Sequence, residues 1–172
     1  MNKIGARIKK EVLTECEIIT ERTKSLNIFK YDLEQFLSMN EKDRDEQIKE
    51  LNEIVIQKLL RINGIGLSTT TKILHTLYPK IIPMIDNPLQ NKYKKIINNI
   101  WKEKKADEIF IDFYNNLKIE SHRKNLNFIF NEISKNNLRN LTRIRIFDIL
   151  WWSYLKSEKL KNKKGISWIS IG

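Results

Sequence analysis

Apolar residues recur along this chain at intervals of three and four, and strict alternation of apolar and polar positions is almost absent, so the pattern predicts helices rather than strands. Ile4, Ile8, Val12, Cys16 and Ile19 share one face of a first helix, and Phe29, Leu33, Phe36 and Leu37 share one face of a short second. Asn40 is placed to cap a third helix, whose inward stripe runs through Ile48, Leu51, Val55 and Leu59 and which delivers the chain to Gly64. A fourth helix begins near Leu67 and has to stop before Pro79. Residues 80–85 are apolar and interrupted by Pro83, which predicts an extended, buried connector ending at Asp86. Asn87 and Pro88 then read as N-cap and first residue of a helix that turns Tyr93, Ile96, Ile97, Ile100 and Trp101 inward. Three further helices follow from Ile109, Phe110, Phe113, Tyr114 and Leu117, from Leu126, Ile129, Phe130 and Ile133 behind a Ser121 cap, and from Ile144, Phe147, Leu150, Trp151 and Tyr154. The lysine-rich tail, 156–172, is expected to fray over 156–164 and then to end in an extended strip. The expectation is an all-α fold, a compact domain of about eight helices without internal repeats.

Length agrees with this picture, because 172 residues suffice for one domain with a real core, here spanning 1–172. Charge adds a direction. Lys and Arg number 32 against 21 Asp and Glu, a net +11; residues 1–90 contribute 14 − 13 = +1 and residues 91–172 contribute 18 − 8 = +10. The second half is therefore the candidate footprint for a polyanion, although an AT-rich genome would also enrich Lys, Asn and Ile without any binding role. The single Cys16 excludes an internal disulfide, a four-cysteine cluster and a cysteine-based zinc site, and a cytoplasmic location is the default expectation. No apolar run approaches the roughly 20 residues of a membrane span, and no secretory signal is apparent.

The candidate chemistry lies in Leu60-Arg61-Ile62-Asn63-Gly64-Ile65-Gly66-Leu67-Ser68-Thr69-Thr70-Thr71-Lys72, followed by Pro83-Met84-Ile85-Asp86. Two glycines between an apolar helix and one opening on hydroxyl residues form a tight turn able to offer backbone amides to a phosphate. The same pattern also serves as a plain turn. Residues 53–77 resemble a helix-hairpin-helix motif, and the continuation is similar to that of the helix-hairpin-helix DNA glycosylase superfamily. In that superfamily the catalytic aspartate lies 22 residues beyond the first hairpin glycine; here 86 − 64 = 22. Thr69 matches a threonine common in the second hairpin helix, and Pro83-Met84-Ile85 the apolar approach to the aspartate.

The resemblance implies double-stranded DNA as partner, with Gly64, Gly66, Ser68, Thr69 and Lys72 against its backbone and Asp86 as the catalytic carboxylate. Bifunctional members carry a lysine where this chain has Ser68, so the implied activity is hydrolysis of an N-glycosidic bond without a Schiff base. No cofactor and no metal are implied. A carboxylate near the sugar C1′ would stabilise the oxocarbenium-like transition state and orient or deprotonate water.

Each candidate also has a plainer role. Asp86 could simply cap the helix opened by Asn87-Pro88, in which case the chain would be a non-catalytic DNA-binding or protein-interaction module. Trp151, Trp152 and Tyr154 are candidates for a pocket receiving an extruded base, or members of a hydrophobic seam. Lys92, Lys95 and Arg143 are candidate phosphate contacts, or surface charges that keep the chain soluble. Arg145 and Asp148 read as an ordinary i, i+3 ion pair, His75 and His122 as structural histidines, and Glu41–Glu50 as a solvated helix face.

Overall fold

The computed structural model describes residues 10–86, Leu89, 106–135 and 141–164. Among the described residues the fold is all α, with no strand. The helices are α1 (Lys10–Glu21), α2 (Leu33–Ser38), α3 (Glu41–Leu51), α4 (Gln57–Leu60), α5 (Leu67–Leu77), α6 (Ala106–Lys118), α7 (Glu120–Lys135) and α8 (Arg143–Lys164). The expectations for Ile4, Ile8, the Asn87-Pro88 helix with its inward residues, Lys92, Lys95 and the strip 165–172 fall outside the described residues.

Local chemistry sets most boundaries. Asn40 caps α3 as expected, its Oδ1 accepting the Asp43 amide at 2.9 Å. Phe29 does not share a helix with Leu33: it lies in a separate 3₁₀ turn, Asn27–Lys30. The reason is Asp32, which opens α2 with a reciprocal capping box to Gln35 and so forces a fresh helix start. Ser121 is not the cap of α7 either. One residue, Ile119, separates α6 from α7, and its carbonyl already accepts the Arg123 amide at 3.0 Å, so the helix begins at Glu120. The segment 156–164 does not fray but continues α8 to Lys164.

Between α3 and α4 the helix widens into a π turn, Asn52–Ile56. Buried Asn52 sits there, donating to Asp107 of α6 at 3.3 Å and accepting from Gln57 at 3.1 Å. The extra residue resets the helical phase, and Ile48, Leu51, Val55, Ile56 and Leu59 are all fully buried. In the Glu41–Glu50 run Glu41, Lys42, Asp43, Glu46 and Lys49 are solvated, but Arg44 is only 1% exposed and donates to Asn115 of α6 at 2.7 Å.

The centre of the core is aromatic. Phe36 meets Tyr114 edge-on at 4.9 Å, and Phe113 packs against Phe147 at 5.3 Å and stacks on Trp151 at 5.9 Å. Around this cluster the chain leaves α5 through a turn at Tyr78 to Ile81 and runs on as the expected extended connector, with Ile81, Ile82 and Ile85 buried. Tyr114, whose phenol is kept neutral by complete burial, donates its hydroxyl to the Ile81 carbonyl. Thr142, just before α8, donates to the Pro79 carbonyl at 2.7 Å.

Two stability measurements check this account. Tyr114→Phe leaves the buried Ile81 carbonyl without its donor and is expected to cost about 1–3 kcal/mol in chemical denaturation. At Gly64, φ is +86° and a Cβ would meet nothing within 4 Å, so Gly64→Ala should cost only the left-handed backbone penalty, about 1–2 kcal/mol.

Candidate active site

The turn before α5 is built by two backbone bonds, Ile62 N–H to the Leu59 carbonyl at 3.1 Å and Ile65 N–H to the Ile62 carbonyl at 3.0 Å. Gly64 takes the left-handed conformation there, whereas Gly66 is extended, with φ −101° and ψ 176°, and stands at the N-cap of α5. Gly66 supplies no side-chain cap, and the first amides of a helix have no acceptor within it.

Ser68, Thr71, Lys72 and His75 fall at i, i+3, i+4 and i+7, a single stripe along α5. All four side chains bond the connector. Ser68 donates to Asp86 Oδ1 at 2.7 Å, and Lys72 Nζ lies 2.9 Å from the same oxygen. Thr71 accepts the Ile85 amide at 3.0 Å, and His75 Nδ1 meets the buried Ile82 carbonyl at 2.5 Å. Thr69 turns the other way and lines a groove between α1 and α5 with Leu13, Cys16 and Ile73.

On the far side, α8 supplies Arg145 and Asp148. Asp148, 1% exposed, accepts from Arg145 Nη1 at 2.7 Å and from the Met84 amide at 3.1 Å. Met84, Asp86, Arg145, Asp148, Ile149, Trp152 and Ser153 line a half-open cavity of about 260 Å³. The two carboxylates in it are driven in opposite directions. Burial opposes the charge on Asp86, but the Ser68 and Lys72 hydrogen bonds, with the positive charges of Lys72 and Arg145, outweigh it and hold the pKa below the usual carboxylate value. Burial dominates at Asp148 and, with the negative charge of Asp86 added, pushes it up to about 6 against the pull of Arg145 and the Met84 amide. Burial likewise lowers the pKa of His75.

The three aromatic candidates separate. Trp152 lines the Asp86 cavity, while Trp151 and Tyr154 line a different one, of about 530 Å³, with His122, Leu126 and Phe147. Trp151 is at the same time part of the aromatic seam through Phe113 and Phe147. Arg143 is held by α7, donating to Asn127 at 3.1 Å and lying 4.4 Å over the Phe130 ring. Arg145, read from sequence as half of an ordinary pair, is the arginine of the cavity. Asp148 is the residue that sequence reasoning undervalued, although Ile144, Phe147 and Trp151 mark its position as inward-facing.

Comparison with known proteins finds no matching family model, no matching curated protein and no matching solved structure. Among the described residues no helix is long and apolar enough to cross a membrane, and no group of His, Cys, Asp and Glu is arranged to hold a metal ion.

The Ser68 and Lys72 contacts to Asp86 both fall on Oδ1. The arrangement presents an ionised, oriented carboxylate, 35% exposed, bonded to the Ser68 hydroxyl and the Lys72 ammonium of α5 and lining one cavity with Trp152. Such a group stabilises adjacent positive charge and accepts a proton from water. Ser68→Ala and Lys72→Met should each raise the Asp86 pKa, read by carboxyl ¹³C NMR titration. An unchanged titration would show that these contacts do not hold the carboxylate. Because that pKa is depressed in the fold, the stability it contributes is present above pH 3.8 and is lost as pH falls through the folded value.

Proposed function

We propose that this chain is a DNA-binding, monofunctional DNA glycosylase of helix-hairpin-helix type, acting in base excision on a damaged or modified base. One observation carries the reading: Asp86, 22 residues beyond the hairpin glycine, is held ionised by Ser68 and Lys72 in a cavity lining that also includes Trp152. Ser68 occupies the position of the lyase lysine and instead donates a hydrogen bond to the carboxylate. Amides at the Gly64–Gly66 turn grip the phosphodiester backbone. The target base leaves the stack and enters the cavity, whose 260 Å³ suits a single heterocycle better than the roughly 300–1,000 Å³ of sites for larger ligands. As the C1′–N bond breaks, its electron pair leaves with the base, and positive charge develops on the sugar next to Asp86. Water adds its oxygen to C1′, and its proton passes to the carboxylate.

The Lys72–Asp86 pair favours a second reading. With Ser68, it makes Asp86 a strut between α5 and the connector, a role that a non-catalytic DNA-binding module would also need.

Duplexes containing uracil, alkylated and oxidised bases, treated with alkali after incubation, distinguish the two. The enzyme reading expects abasic sites from at least one duplex and a loss of about 10²-fold or more in Asp86→Asn. No base release across a broad panel, together with a lower melting temperature but unchanged DNA affinity in Asp86→Asn, would establish the strut. Both readings expect affinity to fall steeply with salt, and a flat response would sink the DNA assignment itself.

A further inference from the structure

We propose that Asp148 is the positioning residue for Asp86, gripping the connector through the Met84 amide and holding Arg145 away from the catalytic carboxylate. The inference rests on the reading of Asp86 given above.

Met84 and Asp86 are two residues apart, and the Asp86 amide closes a tight turn onto the Met84 carbonyl at 3.2 Å. A hold on the Met84 N–H is therefore a hold on the backbone of Asp86. Asp148 is the side chain that exerts it, at 3.1 Å, from a helix 64 residues further along the chain. Its other oxygen takes Arg145 at 2.7 Å. Arg145 stands within electrostatic reach of both carboxylates and is 32% exposed, so its bond to Asp148 decides which of the two it neutralises.

The charged and titratable groups around Asp148 come from three elements. Arg145 lies on its own helix, Asp86 on the connector, and α5 contributes Lys72 through its contact with Asp86 and His75 through the charge of Arg145. As pH falls through about 6, Asp148 takes up a proton. Its attraction for Arg145 is cancelled, and Asp86 becomes the remaining anionic partner in the cavity. The acid limb of the reaction is then set by Asp148, since Asp86 itself stays ionised to below 3.8.

The sign for stability is the reverse of the usual carboxylate case. The native state holds this proton at a higher pH than the unfolded chain does, so the Asp148 contribution to stability falls as pH rises from about 4 to about 6.

The test is an NMR pH titration of the full chain, following backbone amides and the His75 ring separately. The wild type should show the Met84 and Asp86 amides moving with a midpoint near 6. Asp148→Asn, which keeps an acceptor for Met84, should lose that step and retain the His75 titration. Arg145→Gln should move the step to higher pH, and it serves if Asp148→Asn does not fold. Amides of Met84 and Asp86 that stay still between pH 5 and 7 in wild type, or an identical step in Asp148→Asn, would overturn the proposal. The readout needs no substrate, so the absence of base release would remove the glycosylase reading and leave this measurement intact. Where base release is found, kcat should fall below pH 6 in wild type, whereas Asp148→Asn, neutral at every pH like protonated Asp148, should already be reduced at pH 7 and lack that step.

Discussion

An extended segment buried among helices has no neighbouring strand to satisfy its backbone, so every polar group it carries into the core must find a side chain or a local turn. The stretch from Pro79 to Asp86 meets this requirement from three sides. Thr71 and His75 bond it from α5, Tyr114 from α6, and Thr142 and Asp148 from the start of α8 and its first turns. These bonds are the reason a single carboxylate can be delivered to a fixed point between helices that are otherwise joined by apolar packing. Without them the connector would be a loop, and Asp86 would be one surface acid among many.

The same economy governs charge. Arg145 lines the cavity and Lys72 reaches it through its bond to Asp86, while two carboxylates share it under different degrees of burial. Asp86, partly open to solvent and doubly hydrogen-bonded, favours its ionised form. Asp148, enclosed and near another anion, resists it. Neighbouring acids whose environments push them apart provide two protonation behaviours from one residue type.

Much of this was legible before any coordinates. Helical spacing located α3, α5 and α6 and their buried faces, Asn40 announced its cap, and Pro83 within an apolar stretch marked the connector. The 22-residue spacing singled out Asp86. What escaped was set by tertiary partners. Ser68, Thr71, Lys72 and His75 form a visible stripe, but its target lies on the connector and emerges only when α5 folds against it. Asp148 could be seen on an apolar face, yet the amide it binds is 64 residues away. Phe29 was misassigned because the capping box at Asp32 outweighs apolar periodicity across it, and Arg44 because a charged run hides the one position that turns inward toward Asn115. Adjacent tryptophans had to diverge on a helix, but only packing against Phe113 and Phe147 decided which of them faces the seam.

The sequence separations of the connector's bonds bear on the order in which the molecule assembles. His75 and Thr71 reach partners 7 and 14 residues away, Tyr114 reaches across 33, and Thr142 and Asp148 across 63 and 64. Closing the longer loops costs more chain entropy, so α5 can seize its side of the connector early, while the opposite side waits for α8 to dock. The cavity is consequently complete only once α8 has docked. It loses its partners again when α8 lifts away, together with the packing of Phe147 and Trp151 on Phe113, which makes the site a reporter of that helix's attachment.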